Sequence, residues 1–263
     1  MAHSYPQIVL LGDSLLQQSV DIRDGFSFQA ALQTRFIRRL DVVNRGFSGW
    51  NSANAVEYLS EMIPQQTSSS PKLKYLIVLL GANDAVLPLP STSQHVPIEQ
   101  YKQNLIKIIT HAHIRAHNPE ILLVTPPPVD EIKRTKLDIA EGHGRAVRLF
   151  ARSASYSETV REVAREHPGT VLIDLWKAIM ERAIEMTPHD YTTGGPWLGS
   201  PENGKQGGLD NLLPDGLHMS GEAYKVFYDE IIGHVGREWA SLPEEDRTGY
   251  MFPDWRVLNP IES

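Results

Sequence analysis

The sequence predicts an α/β protein whose parallel sheet is covered by helices on both faces. Three observations carry this expectation. Five short apolar runs alternate with longer amphipathic stretches along the chain. The runs are nearly continuous in Val, Ile and Leu, as strands buried on both faces are. The first four end at Gly, Asn, Asp or Pro residues, where a strand hands over to a turn.

The first run, Ile8-Val9-Leu10-Leu11, ends at Gly12-Asp13-Ser14. Phe28, Leu32, Phe36 and Leu40 then fall four apart, on one helix face. The second strand, Leu40-Asp41-Val42-Val43, ends at Asn44-Arg45-Gly46. Ala55, Val56, Leu59, Met62 and Ile63 form the next stripe, with Ser52 placed to cap it. A Ser/Thr/Gln-rich surface loop at 65–72 precedes the third strand, Tyr75 to Leu80, which ends at Gly81-Ala82-Asn83-Asp84. Segment 87–97 carries three prolines beside that end, and Pro97 opens a helix marked by Ile98, Tyr101, Leu105, Ile108, Ile109 and Ala112. The fourth strand, Ile121-Leu122-Leu123-Val124, meets Thr125 and three prolines. Helix is expected over much of 142–167, strand over Val171 to Leu175, and helix again over 176–186. Segment 188–214 is long and Gly-rich and carries Tyr191 and Trp197; such loops are pocket walls or lids, or else insertions without a role. The last helical stripe is Tyr224, Phe227, Tyr228, Ile231, Ile232, Val235 and Trp239. Right-handed crossovers put every strand-to-helix turn at one edge of the sheet, where open α/β sheets bind ligands.

Composition removes whole classes of function. The chain has no cysteine, which excludes disulfides, thiolate metal sites and thiol nucleophiles. With 25 Lys and Arg against 32 Asp and Glu, and no basic run, a nucleic-acid partner is not expected. The longest apolar run, Leu76 to Leu80, is too short to span a bilayer, so stable membrane insertion is not expected. The N-terminal Met1 to Pro6 lacks the basic and apolar regions of a secretory signal, and no glycosylation sequon occurs; a cytoplasmic protein is the expectation. Residues 1–263 read as one domain, with 240–263 a tail that packs either on the domain or on a second subunit as a homodimer.

Four segments carry chemistry. Ser14 follows the first strand at the functional edge, where backbone N–H groups receive negative charge; alone, it reads equally as a helix N-cap. Asp215 and His218 stand three apart just before the last helix. There the carboxylate can hold the imidazole and free its second nitrogen to accept a proton, although a turn cap and a surface histidine have the same pattern. Gly46 and Asn83 each follow a strand at the same edge. With the amide of Ser14 they could supply three donors to an oxyanion, or serve simply as turn residues. His111, His113 and His117 do not share one helix face, and no carboxylate joins them at matching spacing, so no metal site is expected. No Gly-rich nucleotide motif is present, and no cofactor is expected.

Taken in order, Gly12-Asp13-Ser14-Leu15, Gly46, Gly81-Ala82-Asn83-Asp84 and Asp215-Gly216-Leu217-His218 resemble the blocks of the GDSL, or SGNH, hydrolases, over residue 8 to about residue 235. The stretch from Asp215 to Tyr224 most resembles the isoamyl acetate-hydrolysing esterase branch, and Met251-Phe252-Pro253-Asp254-Trp255 is compatible with it. Leu16-Gln17-Gln18 departs from the family, which often carries Thr after the first block. The resemblance implies a flavodoxin-like three-layer α/β/α sandwich and a serine esterase acting on small, short-chain esters such as alkyl acetates. It implies Ser14 as nucleophile, His218 as base and then acid, Asp215 as the orienting carboxylate, and an oxyanion hole of the Ser14 and Gly46 amides with the Asn83 side chain. Sugar O-deacetylation and lysophospholipid cleavage remain alternatives within the family. A non-catalytic binding module is the alternative outside it.

Overall fold

A computed structural model describes residues 4–243 and 246–259. The expectations for the first three residues and for the last four fall outside the described residues. In chain order the elements are β1 (Gln7–Gly12), α1 (Ser14–Gln17), α2 (Phe28–Arg35), β2 (Asp41–Gly46), α3 (Ser52–Glu57), α4 (Leu59–Met62), β3 (Leu73–Leu79), α5 (Ile98–Ile109), α6 (Ala112–His117), β4 (Glu120–Val124), α7 (Glu131–Ala140), α8 (Phe150–Glu166), β5 (Thr170–Ile173), α9 (Leu175–Met186), α10 (Leu209–Leu212), α11 (Gly221–Ile232) and α12 (Trp255–Leu258).

All strand pairs are parallel and the order across the sheet is β2-β1-β3-β4-β5. The order reverses at β1, whose neighbours are β2 on one side and β3 on the other. Their C-terminal ends diverge into a crevice there, the position where such sheets take ligands. Register carries the ends of β1, β2 and β3 to one level, Gly12 lying beside both Gly46 and Leu79.

Side-chain alternation divides the core. Ile8 and Leu10 of β1, with Ile77 and Leu79 of β3, pack with Phe28, Leu32, Ile179, Tyr224 and Phe227 from α2, α9 and α11. Val9 and Leu11, with Leu76 and Val78, pack on the other face with Ala55, Leu59, Leu105, Ile108, Tyr156 and Val160 from α3, α4, α5 and α8. Each fully buried Leu, Ile or Phe contributes about 1.5–3 kcal/mol by leaving water, so these two layers fix how the strands sit. The expected three-layer sandwich with a five-stranded parallel sheet is what the chain forms.

Three local differences have physical causes. Asn51, not Ser52, caps α3. Its side chain accepts from the Asn54 amide at 3.0 Å while the Asn54 side chain accepts from the Asn51 amide at 3.1 Å. Helix α7 was not expected, because it buries a charged pair, Arg134 with Asp138, rather than an apolar stripe. The helix expected over much of 142–167 is α8, Phe150–Glu166, and residues 142–149 before it are a loop.

Segment 188–214 is docked rather than free. The Gly199 carbonyl accepts from the Glu131 amide at 3.0 Å, and Gln206 donates to Asp130 at 2.6 Å. Tyr191 and Trp197 stack on each other, with ring centroids 5.3 Å apart. The described part of the tail lies on its own chain: Arg38 donates to the carbonyls of Phe252 and Pro253, and Arg39 to that of Thr248.

Candidate active site

The ends of β1, β2 and β3 and the segment before α11 converge on Ser14. Ser14 opens α1, so its own N–H has no partner within that helix. The side chain of Asp13 caps the same helix by accepting from the Leu15 amide at 2.9 Å. Ser14 is thereby held at a helix start with its hydroxyl directed at an imidazole: Oγ lies 3.0 Å from His218 Nε2. The two residues stand 204 positions apart in the chain, and Tyr224, buried on α11, ties the same two segments together by donating to the Leu15 carbonyl at 2.8 Å.

His218 is oriented from the other side by Asp215, whose Oδ2 lies 2.6 Å from Nδ1. Oδ1 of the same carboxylate accepts from the amides of Leu217 at 3.0 Å and His218 at 2.7 Å, folding Asp215 to His218 into a single tight turn. Gly216 makes that turn at φ +80°, with the Asp130 carbonyl where a side chain would stand. Burial disfavours the charge on Asp215, but hydrogen bonds from the His218 ring and backbone, the imidazole charge and the Leu217 amide outweigh it. They hold the carboxyl well below the usual range. A carboxylate only accepts, so Nδ1 carries the ring proton and Nε2 is left to accept from the Ser14 hydroxyl.

Asn83, after β3, donates from Nδ2 to the Trp50 carbonyl at 2.8 Å and accepts on Oδ1 from Arg148 Nη2 at 3.1 Å. The carbonyl can only accept and the guanidinium can only donate, so the orientation of the amide is unambiguous. Among the described residues the other N–H of Nδ2 has no partner.

The expectation for Gly46 needs correcting. Its N–H is already donated to Asn44 Oδ1 at 2.8 Å, so it is not a free donor. Glycine is required there for packing: a Cβ would stand 2.1 Å from the Gln17 amide nitrogen. Three residues on, Gly49 sits at φ +83° in a turn closed by the Trp50 amide on the Phe47 carbonyl at 3.1 Å. Its carbonyl accepts from Gln94 at 3.0 Å. Among the described residues its N–H has no hydrogen-bond partner, and the next carbonyl is the one Asn83 binds. The sequence carries the signal for it as a second glycine in Gly46-Phe47-Ser48-Gly49. Arg148 was also missed, since it lies 65 residues from Asn83 in a stretch that carried no motif.

Two buried carboxyls flank the site. Burial pushes Asp13 up to about 7, the nearby Asp84 charge adding to the shift, and Asp13 Oδ2 has no hydrogen-bond partner. Burial likewise pushes Asp84 up to about 6, although the Ser52 amide donates to both its oxygens at 2.9 and 3.2 Å.

Histidines 111, 113 and 117 are occupied in structural roles. His113 Nδ1 lies 2.8 Å from the Ile63 carbonyl. His117 accepts from the Leu73 amide at 3.1 Å and lies 3.1 Å from the Pro64 carbonyl, tying α6 to the chain before β3. Among the described residues no cluster of three or more His, Cys, Asp or Glu could hold a metal ion. Among them too, no helix is long and apolar enough to cross a membrane.

Residues 10–226 match the model of the GDSL-like lipase/acylhydrolase family. A GDSL esterase/lipase of Arabidopsis thaliana is 32% identical over 91% of this chain and 89% of its own length. An isoamyl acetate-hydrolyzing esterase 1 homolog of Rattus norvegicus is 28% identical over 96% of this chain and 88% of its own. Among solved structures, an acetyl xylan esterase superposes with a TM-score of 0.62 at 18% identity, covering 87% of this chain and 99% of that one. At that level of identity the likeness concerns the fold.

Proposed function

The chain belongs to the GDSL-like lipase/acylhydrolase family and is a serine ester hydrolase, and from that premise we propose that Ser14, His218 and Asp215 hydrolyse short-chain esters such as alkyl acetates through an acyl-enzyme. The observation that carries the reading is the unbroken relay from Ser14 Oγ through both ring nitrogens of His218 to Asp215, at 3.0 and 2.6 Å.

A serine hydroxyl is a weak nucleophile until a base takes its proton. As Oγ attacks the ester carbonyl, Nε2 takes that proton and the imidazolium is stabilised by Asp215. Negative charge grows on the former carbonyl oxygen. The Ser14 amide, the uncommitted Asn83 N–H and the Gly49 amide receive it; Gly49 replaces Gly46 in this role, because the Gly46 amide is committed to Asn44. The imidazolium then protonates the departing alkoxide, and the alcohol leaves. Water enters, gives its proton to Nε2 and attacks the acyl-enzyme. Collapse of the second tetrahedral species returns the proton to Ser14 and releases the acid.

One observation supports a short acyl group: the rat relative is named for hydrolysing an acetate ester. Sugar deacetylation is less well supported: Tyr191 and Trp197 stack on each other, each giving one face to the pair.

A panel of p-nitrophenyl and alkyl esters, varied separately in acyl and alcohol length, tests the reading. Acetates should be preferred, and Ser14→Ala should lower kcat by at least about 10³-fold, the scale of losing a triad member. Equal turnover by that variant would refute the nucleophile. Preference for acetylated sugars or lysophospholipids would refute the substrate class.

A further inference from the structure

Among the described residues Arg148 makes no hydrogen bond to Ser14 or His218, and nothing in the relay requires it. It is nevertheless a costly residue to keep there. The side chain is partly buried, its Nε is buried without a hydrogen-bond partner, and burial pulls its ionisation down against the opposing pull of Asp138, Asp13 and Asp215. Among the described residues its one hydrogen bond is that from Nη2 to Asn83 Oδ1.

The chain holds Arg148 at that position from both sides. The amide of Val147 donates to Asp138 Oδ2 at 2.8 Å, and its carbonyl accepts from the Leu87 amide at 2.8 Å. Two residues after Arg148, the Phe150 amide donates to Glu131 Oε2 at 2.7 Å. Helix α7 therefore supplies both anchors, Glu131 from its first residue and Asp138 from its last turn, and Asp138 is itself paired with Arg134. The charged pair that gives α7 its unusual interior also fixes the loop that delivers Arg148.

An amide can flip by half a turn, exchanging donor and acceptor. For Asn83 the flip would put its NH2 against the guanidinium and its oxygen against the Trp50 carbonyl, two contacts between like groups. Without Arg148 only the Trp50 contact opposes the flip. The cation also draws electron density through the amide, and a hydrogen bond to a charged group polarises the one that follows.

We propose that Arg148 is a positioning residue for ester hydrolysis: it acts through Asn83, fixing the amide with its free N–H toward the developing oxyanion and strengthening that donor. The proposal rests on the oxyanion role given to Asn83 above.

The test is a double-mutant cycle on p-nitrophenyl acetate with kcat and KM read separately. Arg148→Met should lower kcat by about 10–100-fold, less than the about 10²–10³-fold loss expected for Asn83→Ala, with KM nearly unchanged. The double variant should be no slower than Asn83→Ala alone, since Arg148 has nothing left to position. Arg148→Lys, which restores the charge but not the planar fork, should recover part of the loss. If Arg148→Met does not fold, Arg148→Leu carries the same cycle, likewise removing both the donor to Oδ1 and the charge. Unchanged kcat in the Met or Leu variant, or losses that multiply in the double variant, would overturn the proposal. Ser14→Ala separates the two failures: if it stays inactive while Arg148 proves irrelevant, the hydrolase reading stands and only the positioning role falls.

Discussion

At the scale of single residues, the site is held together by groups that can each act only one way. Asp215 only accepts, so it sets the tautomer of His218; Arg148 only donates, so it sets the orientation of Asn83. Asp13 is the exception, since one of its oxygens has no partner and its carboxyl titrates at about 7, far above the value of 3.8 it has when exposed. Between those two values the folded protein holds a proton that the unfolded chain has released. Stability therefore falls as pH rises through that window, by up to about 1.4 kcal/mol per pH unit, and levels off above it. Asp84, raised to about 6, adds a loss of the same sign that ends earlier. Asp13→Asn keeps an N-cap acceptor for Leu15 but cannot ionise. Urea melts from pH 4 to 8 should show a clearly shallower decline in the variant than in wild type; parallel declines would mean that Asp13 does not carry the proton.

At the scale of elements, short caps and turns do the aiming. Asn51 caps α3 and also donates to the Gln94 carbonyl at 2.9 Å, while Gln94 in turn donates to the Gly49 carbonyl at 3.0 Å. One residue thus ties the turn after β2 to the segment after β3, the two sides of the site. Asn51→Ala removes a cap and a buried-side hydrogen bond and should cost about 1–3 kcal/mol in chemical denaturation. A cost near zero would show that the turn is held by other means. This scale is also where the sequence was least legible. Apolar periodicity located α5, α9 and α11, each of which buries a continuous stripe. It gives no sign of α7, whose buried residues are Arg134 and Asp138, nor of Arg148, 65 positions from its partner Asn83, because a guanidinium delivered by a loop has no period. Ser52 and Asn51 are both good caps by type, and only the reciprocal bond with Asn54 chooses between them.

At the scale of the whole molecule, the sheet does the assembling. Five buried runs predict five parallel strands, and strand order β2-β1-β3-β4-β5 puts the ends of β1, β2 and β3 side by side. That explains why Ser14 and Asn83, legible as motifs after their strands, arrive at one crevice. The return of α11 across the face that holds Phe28 and Phe227, whose rings stack at 4.5 Å, brings His218 back to Ser14. Gly46 was misassigned for a reason visible only in three dimensions. A glycine beside a close backbone approach and a glycine offering its amide look the same in sequence, and here Gln17 and Asn44 make it the former. The central claim, that the converged hydroxyl is the nucleophile, is tested most directly by reacting the protein with a fluorophosphonate ester and mapping the modified peptide by mass spectrometry. The expected result is one adduct, on Ser14, absent from Ser14→Ala; an adduct on another residue, or an active enzyme that takes no label, would contradict the account.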